Sequence, residues 1–200
     1  MTPARRVGLF GGSFDPVHNA HVALARAALA ELQLDEVRWI PAGQAWQKAR
    51  SLTDARHREA MLQLAIADEP RFVLDRIEVE RPGPSYTLET VRALAAARPG
   101  TLWFLIIGHD QYASLQTWNG WQQLLGLVTL AVANRPGLVP RPDAQVLQAG
   151  HAAVPLPMMD ISSTQIRARV AAGQGIADLV PAGVARYIDQ HRLYRGGHRI

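Results

Sequence analysis

Cysteine is absent from the 200 residues of this chain, and lysine occurs once, at Lys48. Without cysteine the chain can form neither disulfide bonds nor thiolate metal sites, and a cytoplasmic protein is the simplest interpretation. No apolar run approaches the roughly 18 to 20 residues that span a bilayer, and the amino terminus shows no hydrophobic signal core. We therefore expect no association with a membrane.

Runs of like charge are also missing. The net charge of +4 comes almost wholly from arginines that are scattered along the chain. A guanidinium fork fits phosphate, so we expect an anionic small molecule as partner and no nucleic acid. The length and the 48% hydrophobic content suit a single domain of residues 1–200, with a small helical carboxyl-terminal part at about 160–200.

What the chain does have is a glycine-rich stretch at residues 11–21, GGSFDPVHNAH. A short apolar run, Val7–Phe10, predicts a buried strand before it, and helical spacing from His18 to Leu34 predicts a helix after it. In α/β proteins such a strand-to-helix turn lies where ligands bind. Glycines allow close approach of the backbone, and a helix start attracts anions. Three residues apart, His18 and His21 would share the face where a phosphate would lie.

The stretch fits neither of two common phosphate-binding motifs. The Walker motif ends in Gly-Lys-Ser/Thr, and the chain has no Gly-Lys pair. The dinucleotide-binding motif is G-x-G-x-x-G, and Gly8, Gly11 and Gly12 do not have that spacing. A metal-dependent hydrolase that uses His18 and His21 is an alternative, although the Glu of H-E-x-x-H and an evident third ligand are missing.

Strands and helices alternate along the rest of the chain. The alternation predicts an α/β fold, a doubly wound, Rossmann-like parallel sheet with helices on both faces. Residues 71–80 are predicted as one or two strand pieces and residues 138–150 as a surface loop. The other predicted strands are 36–40, 102–107, 128–132 and 153–156, and the other predicted helices are 53–68, one opening at 85–87, one from 161 to near 173, and 181–190.

Two stretches resemble the signatures of the nucleotidylyltransferase superfamily. Residues 11–21 resemble the first, usually written with H-x-G-H, with Ala20 in place of glycine, and residues 161–167, ISSTQIR, resemble the second. These enzymes join a nucleoside triphosphate to a phosphorylated acceptor and release pyrophosphate. The resemblance implies catalytic roles for His18, His21 and Arg167. The ATP contacts that it implies are Gly11, Gly12, Ser13, Phe14, Gly108, Asp110, Ile161, Ser163, Thr164 and Lys48.

Two further motifs, Ser85-Tyr86-Thr87 and Thr117-Trp118, resemble the bacterial nicotinate-nucleotide adenylyltransferases. This resemblance implies AMP transfer from ATP to nicotinate mononucleotide, whose flat pyridine ring can stack on an indole. Mg²⁺ would arrive with ATP and be held by phosphates and water, with no protein side chain as ligand. The implied acceptor residues are Ser85, Tyr86, Thr87, Trp118, Asn119 and Arg135.

Alternatives to this function stay open at the level of sequence. One is a sister transferase whose acceptor is nicotinamide mononucleotide or phosphopantetheine. Another is a nucleotide-binding module without catalysis, which would account for two departures from the family pattern: Ala20 in place of glycine, and Gln47 where many relatives carry His. A monomer and a homodimer are both compatible with the sequence.

Overall fold

The computed structural model describes residues 3–43, 52–134 and 142–195. Within these ranges one sheet contains the strands β1 (Arg6–Gly12), β2 (Glu36–Pro41), β3 (Phe72–Leu74), β4 (Leu102–Ile107), β5 (Thr129–Asn134) and β6 (Ala152–Pro155). Their spatial order is β3-β2-β1-β4-β5-β6, and every neighbouring pair is parallel. This is the order of a doubly wound sheet, so the predicted fold class is confirmed.

Helices cover both faces of the sheet. They are α1 (Asn19–Glu31), α2 (Ala55–Ile66), α3 (Ile77–Glu80), α4 (Thr87–Ala97), α5 (His109–Ala113), α6 (Trp121–Leu125), α7 (Ala144–Ala149), α8 (Ser163–Ala171) and α9 (Ala182–Gln190). One buried apolar cluster contains side chains of α1, α2, α8 and α9, and a second contains side chains of α4 to α7. In the described ranges, no helix has both the length and the apolar character needed to cross a membrane.

Strand β4 shows how both faces of the sheet become buried. Phe104 and Ile106 belong to the first cluster, whereas Trp103, Leu105 and Ile107 belong to the second. Successive side chains of a strand point to opposite faces, so a strand covered on both sides carries apolar residues at every position. That is why β4 is readable from sequence as a continuous apolar run.

Two predicted stretches differ from the structure. In 71–80 the strand ends at Leu74, because the side chain of Asp75 accepts the N–H of Ile77 at 3.1 Å and turns the chain into α3. The short alternation of apolar residues there does not distinguish a strand from one helical turn. In 138–150 the predicted loop contains α7, which begins where the Asp143 side chain accepts the N–H of Gln145 at 2.9 Å.

Candidate active site

The crevice of this fold opens between β1 and β4, the central strands from which the chain winds outward in opposite directions. In doubly wound sheets, ligands bind at such a switch point, outside the carboxyl ends of the strands. Here β1 ends at Gly12 and β4 ends just before Gly108. A Cβ atom on Gly12 would come within 3.0 Å of the Phe14 ring, so glycine suits this tight turn. The glycine-rich loop therefore lies where a ligand would bind.

The two histidines of this loop lie together at the start of α1. His18 is the N-cap residue, and its backbone N–H donates to Nδ1 of His21 at 3.2 Å. The two rings are stacked with centroids 3.6 Å apart. The rings of Phe10 and Phe14 pack edge-on against His21. Since Nδ1 of His21 accepts a hydrogen bond, this bond assigns the proton of the neutral ring to Nε2. His21 can therefore donate to an anion at the helix start.

His18 is neutral at physiological pH. His18 is only 6% exposed, and this burial lowers the pKa of its imidazole to about 4. Its Nδ1 is buried and has no hydrogen-bond partner among the residues that the structure describes. Because an unpaired polar atom is costly to bury, this nitrogen is a candidate contact for a ligand.

The lowered pKa of His18 predicts a dependence of stability on pH. The unfolded ring has a pKa near 6.5, above the folded value of about 4, so the unfolded chain binds the proton first as pH falls. The free energy of unfolding should decline between those two values, with His18 responsible for about 2 kcal/mol of the loss between pH 7 and pH 5. Urea unfolding at both pH values measures this. His18→Asn should lose about 2 kcal/mol less than the wild type; equal losses would contradict the assignment.

The amino end of α8 contacts the glycine-rich loop. Ser163 Oγ donates to the carbonyl oxygen of Pro16 at 2.9 Å, and Arg167 Nη1 donates to that of Asp15 at 2.7 Å. The other terminal nitrogen, Nη2, donates to Oγ1 of Thr164 at 3.0 Å. Arg167 is 152 residues from Asp15 in the chain. The structure thus brings together the two stretches that resemble the superfamily signatures.

A cavity of about 150 Å³ lies at the carboxyl ends of β1 and β4, lined by the part of the glycine-rich loop that precedes Asp15 in the chain. Its wall joins the glycine-rich loop to the turn into α4 and to the segment that precedes α6. Five of the six predicted acceptor residues therefore share one cavity with three residues of the loop. These lining residues are Gly11, Gly12, Ser13, Ser85, Tyr86, Thr87, Trp118 and Asn119.

A buried acid, Glu78, also lines this cavity, although the sequence did not indicate it. Its carboxylate accepts from Oγ1 of Thr90 at 2.9 Å and is hydrogen-bonded to the side chain of Ser85. The Ser85 hydroxyl also accepts the N–H of Gly43 at 3.1 Å. Burial is the main cause of a raised pKa for Glu78. These bonds hold the segment after β2 against α3 and the start of α4.

Some predicted residues are not brought to this cavity. Asp110 lies in the first turn of α5 with its side chain 93% exposed, and Gly108 is the N-cap of that helix. Neither lines the cavity. Lys48 and Arg135 fall outside the described residues, as does Gln47. Ile161 is partly buried against the apolar cluster that includes α1 and α8.

Three side chains that bond in or to the glycine-rich loop, those of Asp15, Arg58 and Tyr194, are not among the predicted site residues. Asp15 is fully buried, and Oδ1 accepts the hydroxyl of Tyr194 at 2.6 Å. Its Oδ2 accepts the N–H of Thr53 at 3.2 Å. Arg58 is also buried and donates to the carbonyl oxygens of Ser13 and Thr53. The position of Asp15 inside the first signature-like stretch could have drawn attention to it. No such feature marks Tyr194, which is 179 residues away in the chain.

The glycine-rich loop thus leads into the histidine pair at the start of α1, accepts bonds from Ser163 and Arg167 of α8, and lines a cavity through Gly11–Ser13. Within a doubly wound sheet, that layout defines a nucleotidyltransferase of the Rossmann-like class. The cytidylyltransferase-like family model matches residues 9–169 of the chain.

Named relatives identify the family within this class of nucleotidyltransferases. The probable nicotinate-nucleotide adenylyltransferase of Methylibium petroleiphilum is 52% identical over 205 residues, covering 98% of this chain and 97% of the relative. That of Streptomyces coelicolor is 42% identical over 187 residues, covering 93% and 99%. The chain therefore belongs to the cytidylyltransferase-like family and, within it, to the nicotinate-nucleotide adenylyltransferases.

Solved structures agree with this fold. The nicotinic acid mononucleotide adenylyltransferase of Plasmodium falciparum, complexed with NaAD, superposes with a TM-score of 0.77 at 19% identity, covering 95% of this chain and 97% of that chain. The same enzyme complexed with APC gives a TM-score of 0.75 with the same coverage. At this level of identity the likeness concerns the fold.

Proposed function

We propose that the protein transfers AMP from ATP to nicotinate mononucleotide, releasing deamido-NAD and pyrophosphate, as a cytoplasmic enzyme of NAD biosynthesis. The observation that carries the proposal is the meeting of α8 with the glycine-rich loop, through Arg167 and Ser163, beside the cavity lined by Ser85–Thr87 and Trp118. The triphosphate and the acceptor then have adjacent sites at one sheet edge.

The reaction is an in-line displacement at phosphorus. A phosphate oxygen of the acceptor forms a bond to the α-phosphorus while the bond to the leaving pyrophosphate breaks. No residue needs to form a covalent intermediate, since alignment and stabilisation of the spreading charge supply most of the catalysis in such transfers. The donors needed are therefore those that meet the triphosphate oxygens.

The site offers such donors on both sides of the triphosphate. On one side, Nε2 of His21 and the N–H groups of the loop at the start of α1 would contact the α-phosphate. On the other side, Arg167 would hold the departing pyrophosphate together with Ser163 and Thr164. The planar guanidinium of Arg167 carries five N–H donors, and its bonds to Asp15 and Thr164 hold it at the loop where the pyrophosphate would lie.

Mg²⁺ would enter with ATP and offset the charge of the phosphates. Among the described residues, no three metal-ligating side chains are close enough to hold an ion. Mg²⁺ often keeps several waters and binds substrate phosphates, so the triphosphate and water would supply most of its ligands.

Acceptor binding is assigned to the cavity. The indole of Trp118 offers a face for the pyridine ring, and the hydroxyl of Thr87 offers a donor for the nicotinate carboxylate. Trp118→Ala should raise the KM for nicotinate mononucleotide by about two- to tenfold and change kcat less than that, since stacking is worth about 0.5–1.5 kcal/mol. Steady-state kinetics measure both constants. Trp121→Ala, outside the cavity lining, is the control, and a loss confined to kcat would contradict stacking.

Gly43 packs against two residues that line this cavity, Glu78 and Ser85, and should not tolerate a side chain. A Cβ there would lie 2.1 Å from the carbonyl oxygen of Glu78, which is backbone and cannot rotate away. Gly43→Ala should cost about 1–3 kcal/mol of stability by overpacking and raise the acceptor KM more than the KM for ATP. Thermal unfolding and kinetics measure these effects. Gly126→Ala, whose Cβ would make an ordinary 3.5 Å contact, should change neither.

Pyrophosphate release tests the proposed function directly. ATP is supplied with nicotinate mononucleotide, nicotinamide mononucleotide or phosphopantetheine in separate reactions. The highest kcat/KM is expected with nicotinate mononucleotide. Preference for another acceptor would instead indicate a sister transferase, and no release with any acceptor would indicate a nucleotide-binding module without catalysis.

A further inference from the structure

The carboxyl-terminal segment reaches the loop that carries the histidine pair. Tyr194, four residues beyond the end of α9, donates its hydroxyl to Oδ1 of Asp15 at 2.6 Å. Asp15 is fully buried and lies three residues before His18. Burial raises the pKa of the Tyr194 hydroxyl, and the neighbouring Asp15 carboxylate adds to that rise. The hydroxyl therefore remains a donor throughout the working pH range.

The backbone after α9 turns sharply to make this contact. Arg192 and Tyr194 have φ values of +51° and +63°, in the left-handed region that side-chain-bearing residues rarely adopt. Such conformations cost free energy and persist where surrounding contacts fix them, often at functional sites. Here the conformation of Tyr194 accompanies its bond to Asp15 and the packing of its ring against the apolar cluster that includes α1.

Asp15 links several elements around the loop. Its Oδ2 accepts the N–H of Thr53, just before α2, and its charge favours the charged form of the buried Arg58. Arg58 in turn donates to the carbonyl oxygen of Ser13 at 3.0 Å. The backbone carbonyl of Asp15 accepts from Arg167 at 2.7 Å. A shift of Asp15 would therefore move both the loop before His18 and the arginine proposed to hold pyrophosphate.

We propose that Tyr194 is a positioning residue for the triphosphate site, which it orders by fixing the carboxylate of Asp15. The proposal rests on the proposed function. It assigns the carboxyl-terminal segment a part in ATP binding and turnover in addition to its packing, while the acceptor cavity, whose lining does not include Tyr194, depends on it less.

Tyr194→Phe tests the proposal because it keeps the ring and removes the hydroxyl. We expect kcat/KM for ATP to fall about tenfold, as for loss of one hydrogen bond to a charged group, while the KM for nicotinate mononucleotide changes less than about twofold. Tyr187→Phe is the matched control. Tyr187 is also half-buried and its hydroxyl bonds Nδ1 of His57 at 3.0 Å, so the same atom is lost from the same part of the chain. This control should leave both constants unchanged.

Each readout is normalised to the folded fraction measured by circular dichroism, so that partial unfolding does not imitate a kinetic loss. In an Asp15→Asn background, Tyr194→Phe should have less than half of its effect on kcat/KM for ATP, because the hydroxyl acts through that carboxylate. A lowered Tm with wild-type constants would overturn the proposal, as would an equal rise of both KM values.

Calorimetric titration with a non-hydrolysable ATP analogue separates this proposal from the proposed function. If the wild type released no pyrophosphate with nicotinate mononucleotide, the function would fail while the titration still tested Tyr194. Weaker analogue binding by Tyr194→Phe than by Tyr187→Phe would then support the positioning role, and equal binding would overturn it.

Discussion

Replacing His21 by alanine is expected to lower kcat by about a hundredfold or more, the usual effect of removing a donor that meets charge in the transition state. Nδ1 of His21 accepts the N–H of His18, so the proton of the neutral ring is on Nε2, the atom that we propose donates to the triphosphate. The KM values should change less than kcat, because this contact strengthens as charge develops. Pyrophosphate release at saturating substrates measures the effect.

Loss of the helix cap must be separated from loss of the donor. His21 is the third residue of α1 and accepts the N–H of its N-cap, the place that Glu occupies in a capping box. His21→Glu should therefore keep the helix start and the Tm while placing a negative charge beside the triphosphate. We expect this variant to be folded and at least as inactive as His21→Ala. A folded His21→Ala enzyme with near-normal kcat would refute the role.

A histidine away from the site provides the control. His151 is exposed, and its Nδ1 pairs with the hydroxyl of Tyr112 at 3.1 Å. His151→Ala removes an imidazole without touching the glycine-rich loop, so its kcat should equal that of the wild type. The comparison attributes any large loss to the position of His21.

The sheet was largely predictable because its strands carry patterns that depend on few distant contacts. The strand β4 is a continuous apolar run, and the glycine-rich loop marks the end of β1. The short helices α3 and α7 were missed because each lies in a weak apolar pattern and starts beside an aspartate, which is the N-cap of α7 and the residue before the N-cap of α3. A side chain that bonds a backbone N–H two residues on overrides periodicity over such short lengths.

The candidate site was predictable only in part. The resemblance supplied His18, His21 and Arg167, and the structure brings the loop and α8 together through bonds to Asp15 and Pro16. The supporting contacts could not be foreseen. Asp15 meets Tyr194 across 179 residues, and Glu78 enters the cavity lining through a helix that the sequence predicted as strand. No residue spacing in the sequence indicates either arrangement, because each depends on how separate elements pack.

The second large effect is expected at Arg167. Its two terminal nitrogens donate in different directions, to the carbonyl oxygen of Asp15 and to Oγ1 of Thr164, as the planar fork of a guanidinium allows. Arg167→Lys keeps the positive charge but provides one compact ammonium, which cannot bond the loop and a phosphate with the same geometry. We expect kcat to fall about a hundredfold, since stabilisation of the leaving pyrophosphate is lost mainly in the transition state.

Two measurements make this prediction specific to the leaving group. Pyrophosphate should inhibit Arg167→Lys about tenfold more weakly than the wild type, the effect of about 1.4 kcal/mol of lost binding. Arg169→Lys is the matched control, because Arg169 lies on the same helix and pairs with Asp178 at 3.5 Å near the surface. That variant should keep the wild-type kcat and pyrophosphate inhibition. If Arg167→Lys also kept both, Arg167 would be a structural clamp on the loop that takes no part in holding pyrophosphate.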